Sequence, residues 1–145
     1  MSDITSHITA EDEKEIIKAI KKAEKNTSGE VRVHIENKCP EEDAFDRALQ
    51  IFEKLEMHNT ELQNGVLFYV SLEDRYFVIC GDKGINDVVE TNFWNATKDI
   101  VISHFKKGAY KQGLIDGILK AGEELKHYFP YQSDDINELS DDISK

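Results

Sequence analysis

Acidic and amide side chains occur at three points of the chain where they could bind a divalent cation. Asp82 and Asp87 lie in and after the segment Gly81-Asp82-Lys83-Gly84, and Glu30 and Asn64 lie in two earlier polar segments. Carboxylate and amide oxygens are the ligands that Ca²⁺ and Mg²⁺ prefer, and two glycines around an aspartate allow a tight turn that exposes its carboxylate. We take Asp82 and Asp87 as the principal candidate ligands of a Ca²⁺ or Mg²⁺ ion, with Glu30 and Asn64 assisting. An ordinary glycine-rich turn with solvated acids is the alternative reading of the same residues.

The signatures of several enzyme classes are absent from the sequence. It contains no G-x-x-x-x-G-K-[ST], no H-E-x-x-H, no G-x-S-x-G and no calcium-binding D-x-D-x-[DN]-G loop. A cysteine phosphatase needs an arginine six residues after its cysteine, where Cys39 is followed by Phe45 and Cys80 by Asn86. We therefore identify no catalytic residue, and classical nucleophilic phosphatase chemistry is not expected.

The histidines are weaker candidates for metal ligands than the acidic residues. His34 stands between Arg32 and Glu36 on the polar side of an alternating segment, which favours a solvated position. The remaining histidines near the candidate loops and helices share no metal-ligand spacing: His58, His104 and His127. Cys80, within an apolar run, is expected to be buried.

Hydrophobic periodicity predicts the elements that must position these residues. Thr9 is a good N-cap for a first helix over 10–26. The alternation over 31–36 predicts a strand at a sheet edge with one wet face, and Pro40 begins a second helix. The continuously apolar segments predict a hairpin buried on both faces, and further helices follow: strands 66–70 and 76–80, and helices 85–90, 93–107 and 111–128.

Topology then brings the candidate residues together. A strand–helix–strand unit has parallel strands in nearly all cases, so strand 31–36 should lie parallel to strand 66–71. The hairpin returns the chain in the opposite direction. Three loops, 27–30, 60–65 and 81–87, should therefore converge at one end of the sheet.

Length and charge restrict the classes of partner. The chain has 145 residues and a net charge of −11, which suits one domain and opposes binding to nucleic acid or anionic lipid. No signal peptide and no apolar run long enough to span a bilayer are present, so we expect a cytoplasmic monomer without membrane contact. A cation or a basic protein partner fits this charge. The segment 131–145 has five acidic residues and one lysine, which predicts a disordered tail.

Four segments resemble the TPM domain family, named after a thylakoid lumen protein, a photosystem II repair factor and a membrane receptor modulator. The resemblance rests on 27–31 (Thr-Ser-Gly-Glu-Val), 64–70 (Asn-Gly-Val-Leu-Phe-Tyr-Val), 81–85 (Gly-Asp-Lys-Gly-Ile) and 105–114 (Phe-Lys-Lys-Gly-Ala-Tyr-Lys-Gln-Gly-Leu), and Glu123-Glu124-Leu125 fits the last helix. It implies a three-layer α/β/α sandwich with a small central mixed sheet of about four strands. It also implies divalent cation binding and, from thylakoid relatives, acid phosphatase activity.

These observations favour residues 1–130 as a TPM-like α/β domain that binds Ca²⁺ or Mg²⁺ without strong catalysis, followed by the acidic tail 131–145. One alternative is a metal-assisted phosphoester hydrolase in which Glu30 or Asp82 acts as a base. Another is a protein-interaction module in protein quality control, whose acidic tail contacts a basic partner.

Overall fold

The computed structural model of the protein describes residues 8–131 and 139–145. Over these ranges the elements are, in chain order, α1 (Ala10–Glu24), β1 (Glu30–Glu36), α2 (Ala44–Lys54), β2 (Gly65–Ser71), β3 (Tyr76–Gly81), α3 (Lys83–Asn86), α4 (Asn95–Phe105) and α5 (Tyr110–Lys126). None of the helices in the described ranges combines the length and the apolar character needed to cross a bilayer.

Local hydrogen bonds decide where the helices begin. Thr9 caps α1 as predicted: its hydroxyl accepts the N–H of Asp12 at 3.1 Å, and the Asp12 carboxylate accepts the N–H of Thr9 at 3.0 Å. α2 begins after Asp43 rather than at Pro40, because the Asp43 carboxylate accepts the N–H of Phe45 at 2.8 Å. α3 occupies Lys83–Asn86 instead of 85–90, since Asp82 caps it.

The described sheet is mixed and has the strand order β1-β2-β3. β1 and β2 are parallel, with Glu30 opposite Gly65, and β2 and β3 are antiparallel, with Val66 opposite Gly81. The predicted strand directions are therefore confirmed, but the described residues form three strands rather than about four. Beside β1, a single bridge between His34 and Ser144 occupies the position where a fourth strand would lie.

Both faces of β2 are buried, and its alternate residues enter two different hydrophobic clusters. Phe68 and its same-face neighbours pack with residues of α1 and α5, and Leu67 and Tyr69 pack with residues of α2. β3 is less buried than predicted because it is an edge strand, and 40% of Tyr76 is exposed.

The polar side of β1 is not solvated, which corrects the prediction for His34. Only 3% of His34 is exposed, and Glu30 is equally buried. The reason lies in two covering elements. Arg47 of α2 reaches over this side of the strand to Glu36, and Ser144 lies against His34.

Residues 139–145 lie along the outer edge of β1, where the sequence predicted part of a disordered tail. Leu139 is buried in the same cluster as α2, and Ile143 packs partly against the other cluster. The backbone of Ser144 exchanges hydrogen bonds with Val33 and Ile35. Two apolar side chains and main-chain bonds to a strand edge thus hold these residues against the sheet, and the division into a domain 1–130 and a tail 131–145 stays a prediction. The rest of the predicted tail, 132–138, lies outside the described residues.

Candidate functional site

The three predicted loops meet at one end of the sheet. The N–H of Glu30 donates to the Asn64 carbonyl oxygen at 3.2 Å, joining the first loop to the second. The N–H groups of Asp82 and Gly84 donate to Gly65 and Gln63, both at 2.9 Å, and join the third loop to the second. The convergence predicted from topology is thereby confirmed.

Gly84 is required for the closest of these approaches. A Cβ atom at this position would lie 2.2 Å from the Leu62 carbonyl oxygen and 2.5 Å from that of Gln63. Both neighbours are backbone atoms, so any larger residue would push the second and third loops apart. The glycine therefore acts through contact distance, not through an unusual backbone angle.

Asp82 lies where the second and third loops meet, and the two oxygens of its carboxylate differ in their hydrogen bonding. Its side chain is 3% exposed. Oδ1 accepts the N–H of Lys83 at 2.7 Å and lies 3.2 Å from Nδ1 of His58. Oδ2 is buried and has no hydrogen-bond partner among the described residues. Because buried polar atoms are nearly always partnered, this oxygen is the candidate ligand atom of the site.

The other predicted ligands are engaged elsewhere. Asp87 is exposed and forms an ion pair with Lys83 at 2.6 Å. Oε1 of the buried Glu30 accepts the N–H of Leu139 at 2.7 Å. Asn64 is buried, and its Nδ2 lies 3.5 Å from Oγ of Ser28.

The structure brings the loops of these four residues together but does not direct their side chains to one point. In residues 8–131 and 139–145, no three His, Cys, Asp or Glu side chains are arranged so that they could hold a metal ion. A cation bound at this end of the sheet would therefore need ligands other than a ready-made carboxylate cluster.

His58 is a site residue that sequence reasoning missed. Its ring lies edge-on to Phe52 with centroids 4.8 Å apart, and 57% of the side chain is exposed. Together with Asp82 it lines a cavity of about 450 Å³ between α2 and the end of β3. His58 stands in a polar segment without periodicity, and its partner is 24 residues away. No local pattern could have paired them.

Cys80 also lines this cavity, but its chemistry is restricted. Burial, and secondarily the charge of Asp82, raises the pKa of the Cys80 thiol to about 11. The thiol is therefore protonated at neutral pH, and the thiolate that nucleophilic catalysis needs is scarce. The structure confirms the prediction that Cys80 is buried.

A second polar cluster lies on the same side of the sheet, nearer the other end of β1. Arg47 donates two hydrogen bonds to Glu36, both at 2.9 Å, and Tyr69 and His34 bond to the same carboxylate. Burial alone would raise the pKa of Glu36, but the hydrogen bonds from Arg47, Tyr69 and His34 outweigh it and lower the pKa to about 2. Because every oxygen of Glu36 is partnered, this cluster joins α2 to the sheet and offers no free ligand.

Comparisons with known proteins identify relatives. The family model of the TPM domain matches residues 1–124. The solved structure of the BA42 protein from the psychrophilic bacterium Bizionia argentinensis has 58% sequence identity and a TM-score of 0.92, and the match covers 100% of this chain and 99% of that one. The N-terminal domain of a P. gingivalis protein has the same fold at 17% identity, with a TM-score of 0.72 over 89% of this chain and 84% of that domain. No curated protein matches.

Proposed function

Because the chain belongs to the TPM domain family, we propose that it binds a divalent cation, Ca²⁺ or Mg²⁺, at the end of the sheet where the three loops meet. Asp82 is the anchoring ligand. The observation that carries the proposal is Oδ2 of Asp82, a carboxylate oxygen that is buried and unpartnered among the described residues. A cation would satisfy this oxygen, which otherwise bears the cost of a buried polar atom without a hydrogen bond.

The donor set favours a cation that keeps part of its water shell. Mg²⁺ is commonly held by one or two carboxylates plus several waters, whereas Ca²⁺ takes six to eight oxygen ligands. Asp82 alone supplies a ready carboxylate oxygen. Glu30 and Asp87 could assist only by giving up their bonds to Leu139 and Lys83. We therefore expect a modest affinity for the cation. We also expect Mg²⁺ to fit the side-chain positions of the structure better than Ca²⁺ does.

Amide NMR titration with Ca²⁺, Mg²⁺ and Mn²⁺ tests the proposal. The wild type should show saturable shifts confined to 27–30, 58–65 and 80–87, and Asp82→Asn should lose them. Asparagine keeps an oxygen that can cap Lys83, so this variant changes the charge with little change in shape. Asp87→Asn is the matched control, because it removes an equal charge from an exposed carboxylate nearby, and it should keep the shifts. Shifts that are spread over the acidic helix starts and are equal in all three proteins would contradict the proposal.

The His58–Asp82 pair favours one further candidate function, cation-assisted hydrolysis of a phosphoester. With Nδ1 directed at Asp82, Nε2 of His58 could accept a proton from a water molecule whose oxygen bonds to phosphorus. The P–O bond to the alcohol would break in the same displacement, and the alcohol oxygen would take a proton from the imidazolium or from solvent. The cation would supply charge stabilisation of the phosphoryl oxygens.

Turnover of an aryl phosphate with each cation distinguishes hydrolysis from binding alone. Hydrolysis predicts that His58→Gln reduces turnover by about 10²-fold or more while the cation-induced NMR shifts persist. Turnover that is absent in the wild type, or equal in His58→Gln, would contradict the hydrolase and leave the binding function standing.

A further inference from the structure

The outer edge of β1 is occupied by residues 139–145 of the same chain, in the manner of an added strand. The N–H of Ile35 donates to the Ser144 carbonyl oxygen, and the N–H of Ser144 donates to that of Val33, both at 2.8 Å. The bridge is parallel. Main-chain bonds of this kind are what a peptide forms when it adds to a sheet edge.

Side chains anchor this segment at both ends. Leu139, 8% exposed, packs in the α2 cluster, and its N–H donates to Glu30 at 2.7 Å. Five residues later, Oγ of Ser144 lies 2.9 Å from Nδ1 of the buried His34. The edge therefore has an apolar pocket at one end and a site for a hydroxyl group at the other.

The middle of the segment places an acidic side chain next to another acidic side chain. Asp141 carries a buried Oδ1 without a hydrogen-bond partner among the described residues, and its carboxyl group lies against that of Glu24. Burial, then the hydrogen bond and negative charge of Asp141, raises the pKa of Glu24 to about 9. Glu13 adds a further carboxylate at the far end, where it pairs with Lys145 at 2.8 Å. An acidic residue at position 141 therefore adds a carboxylate to an edge that already carries Glu24 and Glu13, and a neutral or basic residue there would suit this edge better.

We propose that the outer edge of β1 is a binding site for an extended basic peptide of another protein, which adds as a parallel strand, and that residues 139–145 occupy this site until the peptide displaces them. The fitting peptide has leucine first, a neutral or basic residue in place of Asp141, serine five residues after the leucine and lysine next. Its leucine fills the Leu139 pocket, its serine meets His34, and its basic residues pair with Glu13 and Glu24.

The test uses the full chain, with the resident segment loosened by one substitution. Ser144→Pro removes the N–H that bonds to Val33, whereas Ser144→Ala keeps both main-chain bonds and loses only the hydroxyl contact. The probes are two synthetic peptides of residues 139–145, one native and one carrying Asp141→Lys. Binding is followed by the amide NMR shifts of Val33 and Ile35.

The proposal predicts that the Asp141→Lys peptide shifts Val33 and Ile35 in Ser144→Pro with saturation, at least about tenfold more tightly than in Ser144→Ala, where the attached segment competes at a high effective concentration. The native peptide should bind more weakly than the Asp141→Lys peptide. Equal binding to both variants, shifts elsewhere in the protein, or equal affinity of the two peptides would overturn the proposal.

Hydrogen exchange of the wild type keeps the proposal testable if Ser144→Pro does not fold. The Ile35 N–H bonds to the segment, so its exchange reports segment opening, and millimolar Asp141→Lys peptide should slow it at least severalfold. Unchanged exchange would overturn the proposal. So would a wild-type dimer that the peptide fails to dissociate, because it would assign the edge to a second copy of the chain.

Discussion

Replacing Glu24 with glutamine should remove a pH dependence from the stability of the protein. Glu24 ends α1, and its Oε2 accepts the N–H of Val31 at 3.1 Å. Burial is the main reason why its pKa rises to about 9, and the hydrogen bond and charge of Asp141 and the charge of Glu30 add to it. The folded protein therefore holds a proton on Glu24 at neutral pH, and the unfolded chain does not.

The sign and size of the effect follow from this difference. Between the ordinary pKa of 4.5 and the folded value of about 9, the folded state binds one proton more than the unfolded state. The free energy of unfolding should therefore fall as the pH rises, by at most about 1.4 kcal/mol per pH unit. From pH 6 to pH 8 the loss attributable to Glu24 is at most about 2.7 kcal/mol.

Urea unfolding at pH 6, 7 and 8, followed by circular dichroism, measures this slope. Glu24→Gln keeps an oxygen for the N–H of Val31 but cannot ionise, so its stability should fall less steeply with pH than that of the wild type. Glu11→Gln is the matched control, because Glu11 is a strongly exposed acid of the same helix, and it should keep the wild-type slope. Equal slopes for Glu24→Gln and the wild type would refute the reasoning.

Three further substitutions have expected outcomes. Gly84→Ala should lower the free energy of unfolding by about 1–3 kcal/mol, because its Cβ would meet backbone oxygens at 2.2 and 2.5 Å. Gly81→Ala is the control and should cost less, because its Cβ would make ordinary contacts from 3.5 Å. Equal costs of the two substitutions in urea unfolding would contradict this prediction. Leu139→Ala should cost about 2 kcal/mol and speed hydrogen exchange at Ile35; unchanged exchange would show that Leu139 does not hold the segment. Glu36→Gln should remove a stability term of up to about 3 kcal/mol that the wild type loses as the pH falls from 4.5 towards 2; an unchanged acid unfolding profile would contradict it.

The positions of the strands and loops could be predicted because they follow local rules. The alternation over 31–36 and the apolar runs around Phe68 and Val78 identify three strands. The helical crossover predicts that the first two are parallel, and the hairpin predicts that the third is antiparallel. The meeting of the loops at Asp82 follows from these two steps without knowledge of any side-chain contact.

The side-chain arrangement could not be predicted, because its partners are far apart in sequence. In the sequence, Glu30 is a polar residue at the start of a strand. In the structure, its carboxylate accepts a hydrogen bond from the N–H of Leu139, 109 residues later. His34 alternates with apolar residues, which predicts an exposed side chain. In the structure, Ser144 lies against it and contributes to its burial. Composition could not predict the contacts of 139–145 for the same reason, since the strand edge that bonds to this segment lies about 110 residues earlier in the chain.

The sequence also places Asp82 and Asp87 in one predicted loop as joint ligands, but their side chains face different directions. Four residues separate them, and these four form α3. Asp87 is directed to solvent and to Lys83, while Asp82 is directed inward towards His58. The short helix α3 thus separates the side chains of Asp82 and Asp87.

Paramagnetic relaxation by Mn²⁺ tests the cation proposal most directly, because the loss of amide signal falls steeply with distance from the ion. At low Mn²⁺ occupancy, the amides around Asp82 in 58–65 and 80–87 should broaden first, Mg²⁺ should reverse the broadening, and Asp82→Asn should abolish it. Broadening centred on 139–145 or on the acidic start of α1, and unchanged in Asp82→Asn, would contradict the account.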